Sequence, residues 1–184
     1  RIDGAVAGRL RVESGGDVMA TRVVAGYLAS NTGTVTVQGS GSTIEAEVVR
    51  LGGANSSQFG GIGHLTITDG GAVTVSSSLD VLTQDSSLTV DGGVLTTPRI
   101  TPVGGISPVV EISDGSSGSA LVLTQDGVTT TLDFEITDAA GGPGSILKTG
   151  PGTLNLASDA TSSGGLTVPA GAVRLQDAAR PVTP

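Results

Sequence analysis

One phrase returns along this chain at intervals of 22 to 30 residues. It reads apolar-x-apolar, a short polar turn rich in Gly, Ser and Asp, then apolar-x-small and a second apolar pair. Copies start at Leu10 (LRVESGGDVMA), Val35 (VTVQGSGSTIEA), Leu65 (LTITDGGAVTV), Leu88 (LTVDGGVLTT) and Val110 (VEISDGSSGSALV), and a weaker copy starts at Leu132 (LDFEITD). The first five are separated by steps of 25, 30, 23 and 22 residues. A period in the low twenties is the length of one coil of a β-solenoid. Alternation at period two puts Leu65 and Ile67, then Val73 and Val75, on the inner side of short strands. Glycine tolerates positive φ in the intervening link and Asp can bond nearby backbone, so the link turns a corner. One coil cannot bury its inner face alone. A second coil stacked about 4.8 Å away pairs its backbone and closes the core.

The expected fold is therefore all-β: a single-stranded, right-handed parallel β-helix, with residues 1–184 forming one solenoid domain. The chain begins at Arg1 rather than Met, which points to a fragment of a longer repeat protein. The long step before Leu65 fits an insertion from Gly52 to Gly63. Val18 to Leu28 is the longest helix candidate, but Gly26 and three valines make it a strand. An antiparallel sandwich would need reversed strands joined by tight hairpins. The recurring phrase favours stacked coils, because identical coils want identical sequence.

Composition agrees. Thirty glycines in 184 residues and only 2 % aromatics suit thin layers filled by Val, Leu and Ile. A net charge of −8 opposes nucleic-acid binding, which needs Lys and Arg against phosphates. There is no cysteine, so disulfides and thiolate metal sites are excluded. No apolar run approaches the roughly 20 residues of a membrane-spanning helix.

Few residues suggest chemistry. His64 is the single histidine, and no G-x-S-x-G elbow accompanies it. Its place before an inward Leu makes it an outward or turn residue. Asp17, Asp69, Asp91 and Asp114 recur at turns. A column of them would attract Ca²⁺, but Asx turns explain the same residues without metal. Asp133 and Glu135 share one side at i, i+2, which suits an exposed, solvated face better than an acid pair. The outward residues between the paired apolars run Arg11, Thr36, Thr66, Thr89, Glu111. A charge at each end breaks this Thr ladder, so it is no ice-binding array. The remaining cations (Arg1, Arg9, Arg22, Arg50, Arg99, Lys148, Arg174 and Arg180) are scattered along the chain. No catalytic, cofactor-binding or metal residue is assigned.

The stretch Ile146 to Leu175 closely resembles the autotransporter-associated β-strand repeat, L-x-K-x-G-x-G-T-L-x-L followed by a polar loop and G-x-x-x-V-x-x-G-x-L-x-L. Lys148, Gly150, Gly152, Thr153, Leu154 and Leu156 match its first half, with Leu147 next to the leading Leu place; Val168, Gly171, Val173 and Leu175 match its second, with Gly165 next to the leading Gly place. The family's usual loop aromatic is replaced by Thr161 to Ser163. The copies at Leu65 and Leu88 also look like the looser repeats of autotransporter passengers. The resemblance implies a non-enzymatic passenger segment, extracellular or on the bacterial surface, acting as a stiff stalk or adhesin. It further implies glycan or cell-surface ligands and an outer-membrane barrel in the same precursor. Open end coils add the alternative of end-to-end or lateral association into a filament. Fold analogy adds a carbohydrate-active enzyme domain. The tail Asp177 to Pro184 reads as a coil junction or linker.

Overall fold

A computed structural model describes residues 7–55, 57–114, 118, 120–156 and 162–175. These residues wind into a parallel β-solenoid of about 6 turns with three faces. The first coil holds β1 (Ala7–Glu13) and β2 (Asp17–Ala25), and the second β3 (Thr32–Gln38) and β4 (Thr43–Leu51). A short pair, β5 (Gly53–Asn55) and β6 (Gln58–Phe59), precedes the third coil of β7 (Ile62–Thr68) and β8 (Ala72–Val81). The fourth coil contains β9 (Ser87–Asp91), β10 (Val94–Thr97) and β11 (Ile100–Pro102). The fifth contains β12 (Val109–Ser113), β13 (Leu121–Thr124) and β14 (Thr129–Leu132). The sixth contains β15 (Ile136–Asp138), β16 (Ser145–Thr149) and β17 (Thr153–Leu156). Beyond it lie β18 (Gly165–Thr167) and β19 (Ala172–Leu175).

Face A is the six-stranded ladder β1-β3-β7-β9-β12-β15, parallel throughout. Its register joins Leu10, Val35, Leu65, Leu88, Val110 and Ile136 in one column. The repeat phrase is thus the rung of this ladder. Its last copy starts at Ile136, not at Leu132: Leu132 closes β14 on another face, and Phe134, 2 % exposed, fills the corner between them. Face B runs through the first halves of β2, β4 and β8, then β10, β13, β16 and β18. Face C is made by the second halves of β2, β4 and β8 with β11, and further along by β14, β17 and β19. The long strands bend from B to C; β4 and β8 do so at a bulge between Ala46 and Val48.

The core is a set of stacked columns. Val37, Ile67, Val90 and Ile112 follow one another on face A, Ile44, Val73, Leu95, Leu121 and Ile146 on B, and Val49, Leu79 and Ile100 on C, all buried. Each rung adds apolar area worth about 25 cal/mol per Å² as it closes on the one below. The corner between A and B stays in step because Thr43 N donates to Gly16 O at 2.9 Å, Ala72 N to Ser42 O at 2.9 Å and Val94 N to Gly71 O at 3.0 Å. The Gly52 to Gly63 insertion forms the one antiparallel pair among the named strands, β5 with β6. Arg50 Nη1 donates to Ala54 O at 2.5 Å, and Arg50 Nε lies 3.2 Å from Asp80 Oδ2, tying that hairpin to face C.

Glycine is required where the chain passes from one coil to the next. Gly8, Gly33 and Gly63 share one column of face A. A Cβ on Gly33 would stand 2.2 Å from Gly26 N, and one on Gly63 would stand 2.6 Å from Ala25 O. Both obstacles are backbone. Gly33→Ala is expected to destabilise the domain by about 1–3 kcal/mol, the usual cost of overpacking. The outward Thr66→Ser control should stay within about 0.5 kcal/mol. Denaturant melts of the two variants check this; equal midpoints would refute the tight crossing.

Candidate functional site

Three places carry polar groups in an organised way: the A–B corner, the outer side of face A, and an interior bend near the last coils.

At the corner, Asp69, Asp91 and Asp114 are brought together, with Gln38, Thr68 and Ser113, along a groove of about 520 Å³. Asp17 stands apart and accepts from Thr43 Oγ1 on the next coil. Each carboxylate of the groove is already engaged. Asp69 Oδ2 accepts from Gln38 Nε2 at 2.8 Å, and Asp91 Oδ1 from Ser113 Oγ at 2.5 Å. Asp114 Oδ1 accepts from Ala120 N at 3.0 Å and Ser145 N at 2.7 Å. Among the described residues no group of three or more His, Asp or Glu is disposed to hold a metal ion. These bonds run between coils, so the recurring Asp residues staple one turn to another rather than only bonding their own turn.

Asp138 is the fullest example, and the repeat phrase did not point to it. It stands in register with the core residue Ile112, at the end of that column. Its Oδ1 accepts from Gly144 N at 3.0 Å and Ser163 N at 2.9 Å, and its Oδ2 from Ser163 Oγ at 2.6 Å. The Ser163 hydroxyl, then the Gly144 and Ser163 amides, hold its carboxyl below the ordinary carboxylate value, against a smaller opposing effect of burial.

On the outer side of face A, the predicted run Arg11, Thr36, Thr66, Thr89, Glu111 is a true column and continues to Thr137. His64 lies beside it in the column Arg9, Thr34, His64, Ser87, with its Nδ1 2.8 Å from Ser87 Oγ. That is an outward place with a hydroxyl neighbour from the next coil. Asp133 and Glu135 are both exposed and flank the buried Phe134, in a corner rather than within a strand.

The interior bend was the least expected. Lys148 is fully buried at an inward position of face B, in register with Leu123. Its Nζ donates to Thr149 O at 3.2 Å, Gly150 O at 2.8 Å and Ala170 O at 3.1 Å. A Cβ on Gly171 would lie 2.5 Å from Nζ, and one on Gly150 2.2 Å from Gln125 O. Gln125 is also fully buried, and its side-chain amide makes no hydrogen bond in the structure. Lys148, Gly150, Gly152 and Gly171 of the Ile146 to Leu175 motif therefore have one joint task, a cation-capped bend. Thr161, in the polar loop of that motif, and the tail Asp177 to Pro184 lie outside the described residues.

Comparison with protein-family models, with curated proteins and with solved structures finds no match to this chain. What stands is the class: a repetitive parallel β-solenoid.

Two outcomes follow. The depressed pKa of Asp138 means that its contribution is complete above the ordinary carboxylate value near about 3.9 and is lost as pH falls through the lower folded value. The protection factor of Ser163 N, its exchange rate taken against the intrinsic rate at each pH, should fall over that acid range in the native chain and stay flat in Asp138→Asn; parallel profiles would refute the staple. Lys148→Met should cost roughly 1–3 kcal/mol by leaving buried carbonyls without their donor. Urea unfolding reads this directly, and an unchanged midpoint would mean that the desolvation of the ammonium cancels its bonds.

Proposed function

We propose that this chain is a non-enzymatic segment of an autotransporter-like passenger on a bacterial surface or secreted from it, serving as a stiff stalk or adhesin. The observation that carries the reading is the unbroken register of face A over six strands, backed by buried apolar columns. A stack in which every coil is bonded to its neighbours resists bending and presents long polar faces. The physical roles of Lys148, Gly150, Gly152 and Gly171 support the kinship suggested by the motif, since each meets a need of the coil itself. The acidic groove is shallow and its carboxylates serve inter-coil bonds, which suits a scaffold better than a hydrolase.

A filament subunit is the second reading. Leu166 and Leu175 occupy core columns on the last strands yet are 37 % and 78 % exposed. Incubation with a panel of polysaccharides should retain glycan and release no reducing ends; steady release would overturn the non-enzymatic reading. Sedimentation across a hundredfold range of concentration should show one species for a stalk. Growth into polymers, abolished by Leu175→Asp, would instead establish the filament.

A further inference from the structure

We propose that the Arg9–Arg11 end of face A is a subsite for the anionic group, carboxylate or sulfate, of an acidic sugar. This rests on the adhesin reading and names its ligand class.

The chain carries a net charge of −8, yet β1 is the one described strand with two cations. Arg9 and Arg11 stand at i, i+2 and point outward on the same side of face A, about 7 Å apart along the strand. Arg9 is exposed and has no acidic partner among the described residues. Arg11 is held from two directions: its Nε is 2.6 Å from Glu13 Oε2, and its Nη2 donates to Gln38 Oε1 at 3.0 Å. On the next rung, Thr34 pairs in register with Arg9 and Thr36 with Arg11. Arg9, Arg11, Thr34, Thr36 and Gln38, with Leu10 beneath, line a recess of about 340 Å³.

The chemistry of this recess is specific. A free guanidinium offers a planar fork of N–H donors that matches a carboxylate or sulfate. The Thr hydroxyls one rung away both donate and accept, as sugar hydroxyls require. Rungs spaced about 4.8 Å apart give a chain of sugars further hydroxyl contacts along Thr66 and Thr89. A polyphosphate would need a broad basic surface, and beyond the recess this side offers Asp69 and Glu111 instead. Glu13 competes for Arg11, so the site is tuned below its full strength.

Calorimetry of the intact chain with oligogalacturonate, a sulfated galactan oligomer, neutral dextran oligomers and a poly-glutamate peptide tests this. Binding of one or both acidic oligosaccharides, without dextran or peptide, is expected; the two arms tell carboxylate from sulfate. Arg9→Ala should weaken it roughly tenfold, as loss of a charge-assisted pair does. Glu13→Gln should strengthen it about twofold by freeing Arg11, an effect that a merely structural face would not give. Circular dichroism of both exposed-site variants verifies the fold. Equal binding of dextran, equal binding of the peptide, no binding of either acidic sugar, or indifference to Arg9→Ala would each overturn the subsite. Retention of neutral glycans with loss of this selectivity would leave the adhesin reading standing; retention of none would remove both.

Discussion

The backbone ladder between coils is the constraint from which the rest follows. A parallel ladder holds each residue directly above its counterpart one coil earlier. Whatever one coil points inward, the next must accept. Leu10, Val35, Leu65, Leu88, Val110 and Ile136 satisfy that rule with little change of volume over the whole of face A. Crossings obey it too: Gly33 and Gly63 are stacked, in register with Gly8, and a side chain on Gly33 or Gly63 would strike the backbone of a neighbouring coil or crossing. The ladder turns a local preference into a repeated one, and the repeat in the sequence is its imprint.

The same rule explains the polar interior. Where the apolar column ends, the ladder still brings backbone groups to the inside. Lys148 replaces the Leu123 column member and meets three carbonyls with its ammonium. A buried charge is tolerable only with such partners. At the half-buried edge of the coil, Asp138 does the corresponding service for amides, in the place that follows Val37, Ile67, Val90 and Ile112. Cation at carbonyls and anion at amides are two solutions to one problem, the unpaired backbone of a bend.

Face A was legible because its phrase is regular: a turn rich in Gly separates two alternating runs, and the period stays short. Face C was not, for physical reasons. In the first three coils its strands continue β2, β4 and β8 through a bend with no Gly or Pro to mark it, so one long alternating run becomes two faces. The shift from Leu132 to Ile136 has the same origin. Leu132 and Ile136 are both inward, but Phe134 turns the corner between them, and alternation alone reads straight through it. The acidic corner was half visible. Recurrence located Asp69, Asp91 and Asp114 at successive turns, while only coordinates reveal that their bonds reach other coils. Lys148 sat in plain view within the Ile146 to Leu175 motif, but period two by itself gives no reason to bury a cation.

A scaffold of this kind leaves its specificity to the outside. The interior is committed to stacking, and the corner carboxylates to holding coils in register. What varies freely is the outward column, where no neighbouring coil dictates the side chain. On face A that column runs from Arg11 through three threonines to Glu111 and Thr137, so charge is graded along the axis while the geometry is constant. A ligand that spans several rungs meets the same spacing everywhere but different chemistry at each end. Recognition on such a surface is set by position along the ladder, and a single cationic rung suffices to give a uniform polar face a direction.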